Sequence, residues 1–210
     1  MRSVAVTACW TGYPDPPGEL LAPGERALLQ GLPAWRRRET ALGRITAHAA
    51  LRLLHGPHRT GAWTVLRAPS GAPRVVGARA VVSIAHCGDV VTAVAGTAGP
   101  LGIDVERAGS GPHPLPRCRA PEARCLDPML EFACQEAAVK AYHDSVWRLE
   151  QYRVRPSRGR LHVLHEDGVL RVWPHLFAGH FVVIAAPPGS RPEHRPLEPH
   201  QVTALEGALP

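Results

Sequence analysis

From Ser83 to Glu106 the chain reads Ser-Ile-Ala-His-Cys-Gly-Asp-Val-Val-Thr-Ala-Val-Ala-Gly-Thr-Ala-Gly-Pro-Leu-Gly-Ile-Asp-Val-Glu. Two β-rich runs, Ala80 to Ala85 and Val90 to Ala95, are joined by His86-Cys87-Gly88-Asp89. A third run, Leu101 to Val105, follows the turn at Gly99-Pro100. Successive side chains on a strand face opposite ways, so Asp104 and Glu106 project together while Ile103 and Val105 pack inward.

Upstream, Val4 to Trp10 reads as a strand ahead of the turn-rich Pro14-Asp15-Pro16-Pro17-Gly18. From Trp35 to Leu54 the apolar positions Leu42, Ile45, Ala49 and Leu53 recur at helical spacing, with Arg36, Arg37, Arg38 and Arg44 at the start and flank, and Gly56-Pro57 ending the helix. Trp63 to Leu66 predicts a strand and Pro69 to Pro73 a turn. Downstream, the Pro-rich stretch Ala108 to Pro121 predicts an irregular loop. Asp127-Pro128 then opens a helix to about His143, with Asp as N-cap and Pro at the first helical position. Short strands are expected at Leu161 to Leu164, Val169 to Val172 and His180 to Ala186. Each half thus reads as a helix plus antiparallel strands, an α+β class with two similar lobes. The expected division is residues 1–101, residues 102–186, and a Pro-rich mobile tail at 187–210, with the seam near Gly102. No repeat is visible between the halves.

The 210 residues, 45% hydrophobic and 20% charged, exclude a disordered, collagenous or coiled-coil chain. The most apolar stretch, Ala80 to Val105, is broken by His86, Asp89 and Asp104 and is no membrane span. The start of the chain has no basic segment followed by an apolar run, and the five cysteines form no CxxC pair. The expectation is a cytoplasmic protein with reduced thiols. The net charge of +6 invites a polyanion, but it is spread along the chain, without interleaved aromatics, which speaks against nucleic acid. Of 24 basic residues only Lys140 is lysine, a bias that fits a GC-rich bacterial genome and singles out that one lysine.

Three short patterns carry chemistry. Asp104 and Glu106 on one strand face suit a hard cation; alone they read equally as a solvated edge. Glu136 and Lys140, four apart on the second helix, make either a helix-surface ion pair or a metal ligand beside a phosphate contact. His86 at a strand end is either a turn residue or a contact for phosphate or ribose. No orienting partner marks Cys87 as a nucleophile. His162 and His165 would face opposite sides of a strand, which argues against zinc.

Taken in order, Ser-x-x-His, then Gly102-Ile-Asp-Val-Glu106, then Glu136-Ala-x-x-Lys140 resemble the 4′-phosphopantetheinyl transferase superfamily, in the single-chain type that activates non-ribosomal peptide and polyketide synthases. The likeness runs from about Trp35 to Ala186. It implies a pseudo-two-fold fold of two lobes, with coenzyme A and the serine of an acyl or peptidyl carrier protein as substrates and a monomeric enzyme. It further implies Asp104, Glu106 and Glu136 as Mg²⁺ ligands, Glu136 also as general base, and Lys140 on the pyrophosphate. His86 would meet the nucleotide end. On charge and region rather than a motif match, Arg44 or members of Arg36 to Arg38, Arg38 among them, are expected to hold the 3′-phosphate of coenzyme A, and Arg74 is expected to stand in for the basic residue missing at Ala72. The family's helix motif carries a Lys where Gln135 stands and a Trp where Phe132 stands. Ala85 replaces a frequent Ser, and Ala72 a frequent basic residue. These departures imply a lost cation and a lost hydrogen bond. Two other readings stay open: a protein that binds coenzyme A or a carrier without turnover, and a Mg²⁺-dependent phosphohydrolase.

Overall fold

Side-chain alternation along the strands sets the layers of this α+β protein. On β1 (Arg2–Cys9) Val4, Val6 and Ala8 pack under one helix, while Ala5 and Cys9 face a second sheet. The computed structural model describes residues 2–15, 18–56, 63–109 and 121–207, with 111, 112, 114, 115, 118 and 119. Pro16, Pro17, Pro57 and Pro116 of the expected turns and loop, and the last three residues of the expected tail, lie outside them.

The first sheet has the order β11 (Arg191–Pro196), β1, β5 (Val90–Gly96), β4 (Val81–Cys87). Its outer face is covered by α2 (Ala34–His55), which buries Leu42, Ile45, Ala49 and Leu54 against Val82, Val91, Ala93 and Ala95. The second sheet has the order β6 (Gly102–Arg107), β10 (His180–Ala186), β9 (Gly168–Phe177), β8 (Arg160–His165), β7 (Arg153–Ser157). It carries α3 (Pro128–Tyr142) on its own outer face. Between the sheets lies a third apolar layer with Val90, Val94, Ile103, Val105, Val182 and Ile184. Each of these fully buried side chains is worth about 1.5–3 kcal/mol relative to exposure. Two short strands, β2 (Thr64–Arg67) and β3 (Pro73–Val76), form a separate hairpin beside α2.

The hinge of this arrangement is Gly102. A Cβ there would overlap the Ala137 carbonyl oxygen of α3, so only glycine lets the helix backbone lie on the start of β6. Asp127 caps α3 as predicted, its carboxylate accepting from the Met129 and Leu130 backbone amides.

The segment from Pro187, expected as a Pro-rich mobile tail, forms regular structure packed on the first lobe. β11 pairs in parallel with β1, and α4 (Pro199–Gly207) packs on α2 with Val202 fully buried. Pro192 and Pro196 are compatible with a strand because β11 is an edge, held by backbone rather than by an apolar pattern. The first lobe is therefore completed by the C-terminal segment, and one of its strand pairings is parallel. Other elements without a sequence signal are α1 (Pro23–Ala27), too short for periodicity, and β7, a charged edge strand. No described helix is long and apolar enough to cross a membrane.

Candidate functional site

Where the edge strands β4 and β6 meet, the Ile103 amide donates to Ser83 Oγ at 3.2 Å and ties the two lobes together. Gly102, Asp104 and Glu106 share the β6 face turned to α3, as the alternation predicts. Lys140 reaches from α3 to Asp104, Nζ to Oδ1 at 2.5 Å. It makes this cross-element pair instead of a salt bridge to Glu136 along its own helix.

Three carboxylates crowd this seam. Burial pushes Asp104 up from the ordinary carboxylate range, against the pull of the Lys140 ammonium. Burial and the Asp104 charge push Glu106 up to about 7, with Glu136 adding to the repulsion. Glu136 is raised by burial and by Asp104. One ammonium is thus shared by three acids, and Asp104 Oδ2 is buried without a hydrogen-bond partner. Among the described residues no group of three or more His, Cys, Asp and Glu is placed to hold a metal ion. The mutual repulsion of the three acids and the orphaned Asp104 oxygen nevertheless favour added positive charge beside Lys140. Cys87 donates to Glu106 Oε2 at 3.9 Å, and burial raises its thiol, which keeps it a poor nucleophile.

On the other side of the seam, α2 presents Arg36, Thr40 and Arg44 at four-residue spacing into a cavity of about 190 Å³. Arg67 at the end of β2, Gly71, Leu28 and Leu32 complete its lining, and no carboxylate is among them. Burial pulls the Arg44 guanidinium below its usual range, with Glu25 opposing and Arg67 and Arg36 adding to the effect. Arg44 Nε is buried with no partner. Glu25 is itself fully buried; it accepts from the Val65 and Ala22 amides and lies 2.7 Å from His48 Nε2, one turn beyond Arg44 on the helix. A second cavity, about 230 Å³, lies between the Ser70–Pro73 turn, Val82–Ile84 of β4 and Lys140, His143 and Asp144 at the end of α3.

His86 lies between the two charge clusters. Its Nδ1 is 3.6 Å from Glu39 Oε1, and burial lowers its basicity, with Arg36 and Lys140 adding and Glu39 and Asp104 opposing. The structure therefore brings together Asp104, Glu106, Glu136, Lys140 and His86, and places Arg44 in the cavity next to them.

Two sequence candidates stand elsewhere. Arg38 spends its donors on Asp15 at 2.8 Å and on the Trp10 and Tyr13 carbonyls at 3.1 Å, anchoring the 10–15 turn. Arg74 is exposed on β3 and lines a shallower neighbouring cavity with Ser70, Ala80 and His143. The substitutions singled out in the sequence also read differently in place. Gln135 is fully buried, and its amide donates to the Cys118 and Tyr152 carbonyls at 2.9 Å. It braces the connections on either side of α3 and is no vacancy in a phosphate site. Ala85 points into the layer between the sheets, where a serine would meet apolar side chains. Three residues escaped the sequence reading: Arg67, at the exposed end of a four-residue strand, Glu39, and His143, which ends α3 in a left-handed conformation.

The chain matches no protein-family model and no curated protein in sequence comparison.

Proposed function

We propose that the protein transfers the 4′-phosphopantetheine group of coenzyme A to a serine of an acyl or peptidyl carrier protein, as a member of the 4′-phosphopantetheinyl transferase superfamily. The observation that carries the reading is the pairing, across one seam, of a carboxylate cluster holding a single lysine with a cavity lined by three arginines. Such a pair suits a substrate with a pyrophosphate at one end and a phosphate monoester at the other. The back-to-back lobes, each a sheet with one long helix, also suit that family's pseudo-two-fold architecture.

In this mechanism Arg36, Arg44 and Arg67 hold the 3′-phosphate, and His86 lies along the nucleotide. Asp104, Glu106 and Glu136 would hold Mg²⁺, which would supply charge neutralisation for the pyrophosphate. Glu136, raised above the ordinary carboxylate range by burial and by Asp104, takes the proton of the carrier serine as general base. The serine oxygen attacks the β-phosphorus, the P–O bond to the α-phosphate breaks, and 3′,5′-ADP leaves. Lys140 exchanges Asp104 for the phosphate oxygens and stabilises the leaving charge. The chain's work is positioning and charge compensation.

The test separates transfer from hydrolysis. Chromatography of coenzyme A incubated with the protein and Mg²⁺ is expected to give 3′,5′-ADP only when an apo carrier protein is added. Asp104→Ala and Glu136→Ala are expected to abolish it. Release without a carrier would support a phosphohydrolase instead, and full activity in either variant would refute the assignment of these acids.

A further inference from the structure

Glu39 lies against both Arg36 and His86. It stands three residues after Arg36 on α2; its Oε2 accepts from Arg36 Nη1 at 2.9 Å, and its Oε1 lies 3.6 Å from His86 Nδ1. Arg36 lines the arginine cavity, whereas Glu39 does not. The carboxylate is thus bound to an exposed arginine of the cavity and faces the strand-end histidine. The inner arginine, Arg44, keeps a buried Nε without any partner. Glu39 side-chain exposure of 27% leaves it room to swing out into solvent.

Two anions cannot share Arg36 at full strength. A phosphate entering the cavity competes with the Glu39 carboxylate for the Arg36 guanidinium, and the carboxylate returns when the phosphate leaves. Building on the transferase reading above, we propose that Glu39 is a built-in competitor for the 3′-phosphate, a specificity-determining residue that weakens binding of phosphate-bearing ligands and so speeds release of 3′,5′-ADP. The product keeps the 3′-phosphate, and without a competing group it would stay bound to the three arginines of the cavity. A ligand lacking that phosphate leaves the Arg36–Glu39 pair in place and gains nothing from removing the carboxylate.

The experiment is calorimetric titration of wild type, Glu39→Gln and Glu39→Ala with coenzyme A, 3′-dephospho-coenzyme A and 3′,5′-ADP, at fixed salt. Coenzyme A and 3′,5′-ADP are expected to bind both variants about three- to fivefold tighter, the scale of a part-exposed ion pair. The 3′-dephospho form is expected to bind all three proteins alike, and Glu19→Gln, at an exposed site, to match wild type. Weaker binding of coenzyme A by Glu39→Gln would overturn the proposal, making Glu39 a group that positions Arg36 and His86. An equal change for all three ligands would also overturn it, as a general structural effect. Wild type that binds coenzyme A no better than its 3′-dephospho form would remove the 3′-phosphate from this cavity and the role of Glu39 with it. Tight, Glu39-sensitive binding of 3′,5′-ADP by a protein that modifies no carrier would leave this inference standing while the transferase reading fails.

Discussion

The two charge clusters at the seam handle burial in opposite ways. The arginine cavity on the first lobe carries permanent charges, since a guanidinium does not release its proton, so it keeps its attraction for an anion at any ordinary pH. The carboxylate cluster on the second lobe cannot keep three negative charges around one ammonium, and its members are pushed toward the protonated form. One cluster keeps its charge on burial; the other gives up part of its charge. The difference shows where the protein spends stability on function, and it can be tested from both sides.

The largest effect is expected where the clusters are joined. Gly102→Ala should destabilise the protein by about 3 kcal/mol, because the added methyl collides with α3 backbone that carries Glu136 and Lys140. Denaturant unfolding measures this, and a near-neutral result would mean that α3 can step back from β6. Next comes Lys140→Met, which leaves the buried Asp104 without its cation and should cost about 2–4 kcal/mol at pH 7. Adding Asp104→Asn should recover most of that loss, and a double variant as unstable as the single one would show that Lys140 acts through packing.

On the arginine side, Arg44→Ala should weaken coenzyme A binding about tenfold or more, the scale of one charge-assisted contact, with little loss of stability. Arg38→Ala should do the reverse: unchanged binding and a looser 10–15 turn. Equal binding defects in the two would erase the distinction between cavity and anchor.

The smallest effect concerns the layer between the lobes. There His194 on β11 stacks on His175 of β9 with ring centroids 4.4 Å apart, and its Nε2 lies 2.9 Å from Thr7 Oγ1. Burial, aided by His175, pulls His194 down to about 4, and burial lowers His175 as well. The folded state therefore binds fewer protons than the unfolded state as pH falls below the ordinary histidine range. Stability from this pair is complete above about pH 6.5 and declines as the pH falls toward 4. His194→Gln should flatten that part of the pH–stability curve, and an unchanged slope would place the acid sensitivity elsewhere.

Much of the second lobe was legible because its signals are short-range. Strand alternation put Asp104 and Glu106 on one face, and an Asp-Pro pair marked the start of α3. The arginines were harder. Arg36 and Arg44 share a helix face, but Arg38 is turned about 200° from Arg36 around the axis, and composition alone does not say which side meets a cavity. Arg67 joins them only because the β2–β3 hairpin folds over α2, a contact distant in sequence. The C-terminal strand left no apolar pattern, since an edge strand needs only backbone partners on β1. Gln135 and Ala85 read as losses from an active site until their side chains were seen to point away from it.

The account stands or falls on intact-mass spectrometry of apo acyl and peptidyl carrier proteins incubated with this protein, coenzyme A and Mg²⁺. A gain of one phosphopantetheine group on a carrier, abolished by a chelator and by Glu136→Ala, is the expected result. No gain on any carrier, with coenzyme A bound and Mg²⁺ present, would contradict it and leave a coenzyme A-binding protein.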